Sequence, residues 1–533
     1  MKKWIAFVLA LVIAMSLAAC GGKTATTATA GTIDPATIPE EARYGGVLDL
    51  TYGDCSDTFD PHLTTGWVSY NWSCGVYENP LARDENGNFV PNVCDFELSE
   101  DMLTLTLWPR EGVTFHNGDP VEIEDVVASI KRSYENVANM KKFFAPFMAG
   151  EPVVADGKAT YTFTEFNINT LYHFSHWANW VGVMPKEILD KYGADYINQP
   201  EDCIGTGPYK LVNYQTNALI ALERYDGYVP TTLECGSYGA PKKAYMDKVN
   251  VWINGDETSV TMALISRDYD RGDLSGEYAA MAESYGYVMA EVTTGSMIGM
   301  AFNTKNPDRP IQDANLRKAI AAALDYESVA QAWTDSHYEI KTCPMSAPAY
   351  VNDIFDSADY VGTSNLELAK QYLNASGYNG EEIVLLCPND NKFAVIWEAN
   401  MKELGINYKV EYMEFTSMKA YATDNSNPYD ISVFQYEVKD TVPCQISSTP
   451  RAMYWGSEEK DRLFDEIAKY PAGSEESVSL WTELSELWVD ECSVVNIATF
   501  WGATAEHKDL VYNDPGVAFY YDAFWVNPQE HMD

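Results

Sequence analysis

Residues 98–132 read LSEDMLTLTLWPREGVTFHNGDPVEIEDVVASIKR. From Met102 to Trp108 polar and apolar residues alternate, with Leu103, Leu105 and Leu107 on one face, the period-two signature of a half-buried strand. From Arg110 to Gly118 the chain is rich in turn formers, punctuated by Gly112 and Asn117–Gly118. Asp119–Pro120–Val121–Glu122 then predicts a helix start, with Asp119 as cap, Pro120 in the first turn and Glu122 as the capping-box acid. Ile123, Val126, Val127, Ile130, Tyr134 and Val137 follow at helical spacing. The stretch is strand, loop and capped helix. It holds no catalytic group.

The wording of this stretch resembles the family 5 extracellular solute-binding proteins, the peptide-, nickel- and opine-type receptors of ABC importers. The resemblance rests on Gly112, Val113, Phe115, His116, Gly118, Pro120, Asp125, Val126, Val127 and Ser129, and the chain departs at Trp108–Pro109, where the family keeps a longer strand. Three further segments are similar to the family pattern. They are Gly205–Thr206–Gly207–Pro208–Tyr209 running on to Tyr228, Gly299–Asn303 with Pro310–Ile320 and Asp325, and Ala369–Leu373 with Ser376–Gly377–Tyr378, read as a helix closed by a C-cap glycine. The loop Thr58–Leu63 and the run Tyr77–Leu81 also fit, so the resemblance extends from about residue 45 nearly to the end. The glycines at 205 and 207 could pass for a phosphate loop, but Pro208 removes a backbone donor and strand residues follow instead of a helix.

The resemblance implies an α/β, two-lobed periplasmic-binding-protein type II fold with an extra domain and a ligand cleft between the lobes. The expected division is a first lobe of residues 44–65, 200–290 and 505–533, an additional domain of 66–199 packed on it, and a further lobe of 291–504. A chain of 533 residues exceeds a single core, which agrees with two or three domains. Composition is globular, 46% hydrophobic and 13% aromatic, and the net charge is −42. Nucleic acid and anionic lipid surfaces are therefore poor partners for the body of the protein. The acidity serves solubility, or in a sharper reading lines a cleft for cationic solutes.

At the N-terminus Lys2–Lys3, an apolar run from Trp4 to Ala14, and Leu17–Ala18–Ala19–Cys20 make a signal segment too short for a confident membrane span. It resembles a bacterial lipobox, with cleavage after residue 19 and diacylation of Cys20. Residues 21–42 lack an apolar face and read as a flexible tether from the lipid. Order is expected from the edge-type strand Gly45–Leu50. Of ten cysteines, an odd number remains once Cys20 is set aside, and none sits at metal-binding spacing. Cys203/Cys235 is a conceivable pair, and buried free thiols are the alternative.

No HExxH, GxSxG or Walker-type motif is present, and the seven histidines are scattered. His116 reads as structural. His173 and His176 could share a helix face and hold a metal, against aromatic packing with Trp177 and Trp180. What remains is a non-enzymatic binder without cofactor or resident metal. A buried peptide needs an acid for its amino terminus, a cation for its carboxylate and backbone partners between, because unpaired buried charge is costly. Carried over by position, the resemblance implies Thr65 as a backbone contact, Tyr436 in an aromatic position, and Asp440 or Glu437 for the amino terminus. Lys392 would face the carboxylate, with Trp501 and the Tyr520–Tyr521 pair as further aromatic candidates. The expected protein is a monomeric, lipid-anchored receptor on the outer face of the cytoplasmic membrane that delivers a peptide-like solute to an ABC permease. A receptor for a nickel or other metal chelate or an oligosaccharide on the same fold is the alternative. An extracellular hydrolase and a non-transporting sensor rank below both.

Overall fold

The computed structural model describes residues 34–54, 58–63, 71–84, 88–175, 181–231, 242–291, 296–334, 337–343, 348, 351–389, 392–437, 455–512 and 519–532. Two large sheets organise it. In the first, of seven strands, the order is Tyr287–Glu291, Ala503–His507, Arg271–Leu274, Val47–Tyr52, Lys248–Ile253, Leu219–Arg224 and Tyr209–Gln215. The second has six, in the order Tyr338–Ile340, Val494–Phe500, Ser296–Phe302, Ile431–Glu437, Ile383–Pro388 and Tyr408–Met413. A four-stranded sheet carries Cys94–Leu98, Thr104–Pro109, Lys158–Thr162 and Val153–Ala155.

The decisive stretch belongs to this smaller sheet. Strand Thr104–Pro109 pairs on both sides and buries Leu105 and Leu107, as its alternation predicts. Helix Ile123–Asn136 buries Ile123, Val126 and Ile130 on one stripe. Its cap, however, is Glu122, whose N–H donates to Asp125 Oδ2 at 2.9 Å, and Asp119 stays outside the helix. The cause is a short bridge between Thr114 and Pro120, with Val121 N–H donating to Val113 O, which keeps residues 119–121 extended. One continuous apolar core runs from Leu105 and Leu107 to Leu48 and Leu50 of the seven-stranded sheet, so the inserted domain and the first lobe are packed as a unit.

One correction arises in that lobe. The strand that opens it, Val47–Tyr52, is central and not an edge, because parallel neighbours flank it on both sides and both its faces are covered. The glycines of 205–209 serve close backbone approach. A Cβ at Gly205 would lie 2.1 Å from Val76 O, and one at Gly207 would lie 2.3 Å from Gly75 O. Gly207 and Tyr209 donate their N–H groups to Val76 O and Gly75 O, each at 2.9 Å. His116 ties the two diagnostic segments together. Its Nδ1 accepts from Gly205 N–H at 3.2 Å, so the proton sits on Nε2, which donates to Gly207 O at 3.0 Å.

In the second lobe Asp313 caps helix Ala314–Ala323 by accepting from Asn315 N–H at 2.8 Å, and Leu316, Ile320, Ala323 and Leu324 are buried as the pattern predicts. Helix Leu366–Ala375 ends on an extended Ser376 and not on a glycine cap, whereas Phe393–Leu404 does close on a left-handed Gly405. Arg309 pairs with the fully buried Asp430, which also accepts Val384 N–H at 2.7 Å.

Of the two alternatives for the cysteines, the buried free thiol holds for Cys203, which accepts a hydrogen bond from Tyr77 OH at 3.2 Å, while Cys235 lies outside the described residues. Cys74, Cys94, Cys387 and Cys492 are also buried and free, and Cys343 is buried. Burial pushes the thiols of Cys74, Cys203, Cys387 and Cys492 up to about 12. His173 is buried in a short turn against Phe144, and His176 lies outside the described residues. Among the described residues no helix is long and apolar enough to cross a membrane.

Candidate ligand cleft

Strand directions place the cleft. In the six-stranded sheet, Ile383–Pro388 runs parallel to both Tyr408–Met413 and Ile431–Glu437, while Ser296–Phe302 runs against Ile431–Glu437 and Val494–Phe500. The carboxyl ends of four strands thus gather on the edge where Ser296 begins. In the other large sheet, Val47–Tyr52 is parallel to Lys248–Ile253 and to Arg271–Leu274, and Ala503–His507 runs against Arg271–Leu274 and Tyr287–Glu291. Its carboxyl ends gather on the edge where Ala503 begins. The chain leaves one sheet at Glu291 and enters the other at Ser296, and returns between Phe500 and Ala503, joining these two edges to each other. A crevice outside the carboxyl ends of parallel strands, next to a topological switch, is where open α/β sheets bind ligands.

The sequence-derived candidates distribute unevenly over this geometry. Ser296 pairs with Glu437 on one side and with Phe500 on the other, so the end of Ile431–Glu437 and the residue before Trp501 are two strand spacings apart, about 10 Å. Tyr436, opposite Met297, shares that end of the strand. Lys392 is exposed and precedes helix Phe393–Leu404, just past the carboxyl end of Ile383–Pro388 on the same edge. The register therefore collects Tyr436, Glu437, Lys392 and Trp501 at the crossing edge. Thr65, Asp440 and Cys20 lie outside the described residues. Tyr520 and Tyr521 are fully buried. Tyr520 OH donates to Trp72 O at 2.6 Å and accepts from Gly75 N–H at 2.9 Å, which makes it a core residue and no ligand contact.

Several groups at or near the cleft escaped the sequence reading. His337 lies flat against Trp501, ring centroids 5.1 Å apart at 22°, and its carbonyl accepts Trp501 N–H at 3.0 Å. Lys341 Nζ stands 5.7 Å from the same indole, so a cation and an aromatic face meet at the crossing. At the opposite ends of the same first-lobe strands, away from the crossing, Arg271 Nε is 3.1 Å from Glu506 Oε1, which accepts Tyr512 OH at 2.7 Å. Burial pushes Glu506 up despite Arg271 beside it. It likewise pushes Asp270 up to about 7, although Asp49 N–H, 2.8 Å away, favours its charged form. Charged residues at inward strand positions were the available signal for this network.

A second opening lies where the inserted domain meets the second lobe. Ile168 N–H donates to Ala468 O at 2.8 Å, and beside that bond is a cavity of about 570 Å³ lined by Lys142, Glu165, Asn167, Asp461, Asp465 and Lys469 among others. Its size is that of a small-molecule or short-peptide site, and its wall carries both signs of charge.

The model for bacterial extracellular solute-binding proteins, family 5 (middle), matches residues 58–449. The chain belongs to this family. Among its relatives is the dipeptide-binding protein DppE of Bacillus subtilis, 23% identical over 477 residues that cover 83% of this chain and 84% of DppE. Among solved structures, the ABC transporter substrate-binding protein CtaP of Listeria monocytogenes superposes with a TM-score of 0.74 at 19% identity, covering 91% of this chain and all of that one. The oligopeptide-binding protein AppA of Bacillus subtilis, solved with a nonapeptide, gives 0.68 at 18% identity, with coverages of 91% and 100%. The family 5 fold is thus the two-lobed type II binding-protein fold with an extra domain. The segments that drew the resemblance in sequence, at 112–129 and 205–209, are structural staples of the inserted domain and first lobe.

Proposed function

We propose that this chain is the extracytoplasmic receptor of an ABC importer, binding a peptide or peptide-like solute in the crevice and handing it to the permease. The observation that carries the proposal is the double crossing between carboxyl edges, which sets two stiff sheets about a solute site and lets them close on it as a hinge. Closure is favoured only as far as the solute makes contacts absent from the open form. The peptide reading is supported by relatives that include a dipeptide receptor and a structure holding a nonapeptide. In this reading Asp440, with Glu437 beside it, meets the amino terminus, Lys392 the carboxylate, Thr65 the backbone, and Tyr436 and Trp501 the side chains. Sheet membership supports a division near residue 291 and moves the second boundary from 504–505 to 501–502, because Ala503–His507 belongs to the first sheet. Diacylation at Cys20 tethers the receptor to the outer face of the membrane, through a tether shorter than residues 20–43, because Pro35–Thr37 and Glu40–Ala42 form turns fixed to the body through Arg43 and Glu40.

The experiment is mass spectrometry of small molecules released by mild denaturation from the purified protein. A ladder of short peptides is expected. A sugar or a metal chelate in their place would retire the peptide reading and the roles of Asp440 and Lys392.

A further inference from the structure

We propose that His507, Asp509 and His531 bind a single divalent transition-metal ion on the side of the first lobe remote from the crevice. One nitrogen of each imidazole and one carboxylate oxygen of Asp509 lie within 4.8 Å of one another, and all three residues are half-buried, neither sealed off nor fully solvated. Two imidazoles with one carboxylate suit zinc, nickel or cobalt, whereas calcium and magnesium require oxygen donors.

Two of the three residues share one turn, the third comes from the C-terminal segment, and each is held in place. His507 ends strand Ala503–His507, where its N–H donates to Asp270 O at 2.8 Å. Asp509 sits in the turn that follows, its N–H donating to His507 Nδ1 at 3.2 Å and its carbonyl accepting Val526 N–H at 3.0 Å. His531 is fixed from both sides. Its ring lies flat on Trp525, 3.7 Å away at 4°, and its carbonyl accepts Val47 N–H at 2.7 Å. Trp525 is fully buried and donates to Val47 O at 2.8 Å, so the platform under His531 is part of the core. The ring of His507 stands edge-on to both Trp525 and His531, at 5.4 and 5.3 Å.

Tetrahedral coordination at metal–ligand distances of about 2.0–2.2 Å needs donors roughly 3.3 Å apart, so the group must contract by an ångström or so. Rotation of the half-buried Asp509 side chain supplies most of that, its backbone staying fixed. The opposing influence is Lys508, whose Nζ is 3.6 Å from Asp509 Oδ2 and competes for it. An ion here would staple the turn after Ala503–His507 to the C-terminal residues and, through the His531 carbonyl, to Val47. The five residues from Ala503 to His507 separate this site from the crossing by about 14 Å, so it is not the solute site.

The test is calorimetric titration of Zn²⁺, and separately Ni²⁺, into the full chain after chelator treatment. One ion per chain is expected, with affinity reduced by more than about tenfold in each of His507→Gln and His531→Gln. A rise in melting temperature with Zn²⁺ is expected in the wild type and not in these variants. Because His531→Gln also removes the stack on Trp525, Lys508→Ala supplies an independent arm: with the competing cation gone, the ion should bind several-fold more tightly. The assignment is overturned if the wild type takes up no ion, if the double His variant binds it unchanged, if Lys508→Ala leaves affinity unchanged or weakens it, or if a bound solute competes with the metal.

Discussion

The backbone N–H of Ile168 donates to the carbonyl of Ala468 at 2.8 Å, linking the inserted domain to the lobe from which it is most distant in sequence. Ile168 is the first residue of helix Ile168–Tyr172, with Asn167 as its cap, and the first helical position tolerates proline. Ile168→Pro should therefore remove the inter-domain donor while leaving the helix standing. The expected outcome is a larger radius of gyration of the solute-bound protein in X-ray scattering and weaker solute binding, by about 1 kcal/mol for one lost hydrogen bond. Ile168→Ala controls for the lost side chain. Equal behaviour of the two variants would show that the bond does not hold the closed form.

Asp440→Ala is expected to weaken a peptide with a free amino terminus by about 2–5 kcal/mol, as for truncation of one partner in a buried charge pair. An N-acetylated peptide should bind wild type and variant alike. Calorimetry that finds the free-amine peptide unaffected assigns the amino-terminus contact elsewhere, with Glu437 next to be tested.

His62 is fully buried, with Nε2 donating to Gly182 O at 2.7 Å and Nδ1 accepting from Arg132 Nη1 at 3.2 Å. Burial, with Arg132 adding to it and Asp60 opposing, pulls its pKa down to about 4. The unfolded chain takes up this proton near the ordinary value of 6.5, so the stability linked to neutral His62 is complete above pH 6.5 and is lost as pH falls toward 4. The linked amount is at most about 3 kcal/mol. In urea unfolding, the stability gap between wild type and His62→Gln should narrow by about 1–3 kcal/mol from pH 7.5 to pH 5. A constant gap would mean that His62 is not held neutral.

Gly207→Ala should destabilise the fold by about 3 kcal/mol or more, since its Cβ would lie 2.3 Å from the Gly75 carbonyl oxygen, and backbone cannot step aside as a side chain can. Gly118→Ala is the contrast. Gly118 has φ +90° and open space around it, so only the conformational cost of about 1–2 kcal/mol applies. Denaturation midpoints that rank the two variants in the opposite order would contradict the close-approach account.

How much of this was legible depended on the range over which each feature is specified. The strand at 104–109 and the helix at 123–136 were readable because their alternation and stripe are local. The true helix cap was not, because Glu122 wins over Asp119 only through the bridge from Thr114 to Pro120. The central place of Val47–Tyr52 depends on partners some 200 residues away, and no pattern in six residues reveals it. The purpose of Gly205 and Gly207 is visible only beside Gly75 and Val76. Of the candidate cleft, the register of Ile431–Glu437 against Ser296 gathers four proposed residues at one edge. The flat pairing of His337 with Trp501, and the meeting of Ile168 with Ala468, join segments whose sequences say nothing about each other.

The double crossing has a mechanical consequence. Each passage between the sheets is bracketed by a paired rung, Glu291 with Ala503 on one side and Ser296 with Phe500 on the other. Rungs that hold both passages at each end let the sheets bend toward one another more easily than they twist. The lobes then have one soft coordinate, an opening angle, and no freedom to swivel. Whether a solute lies between the lobes is then written in that single angle.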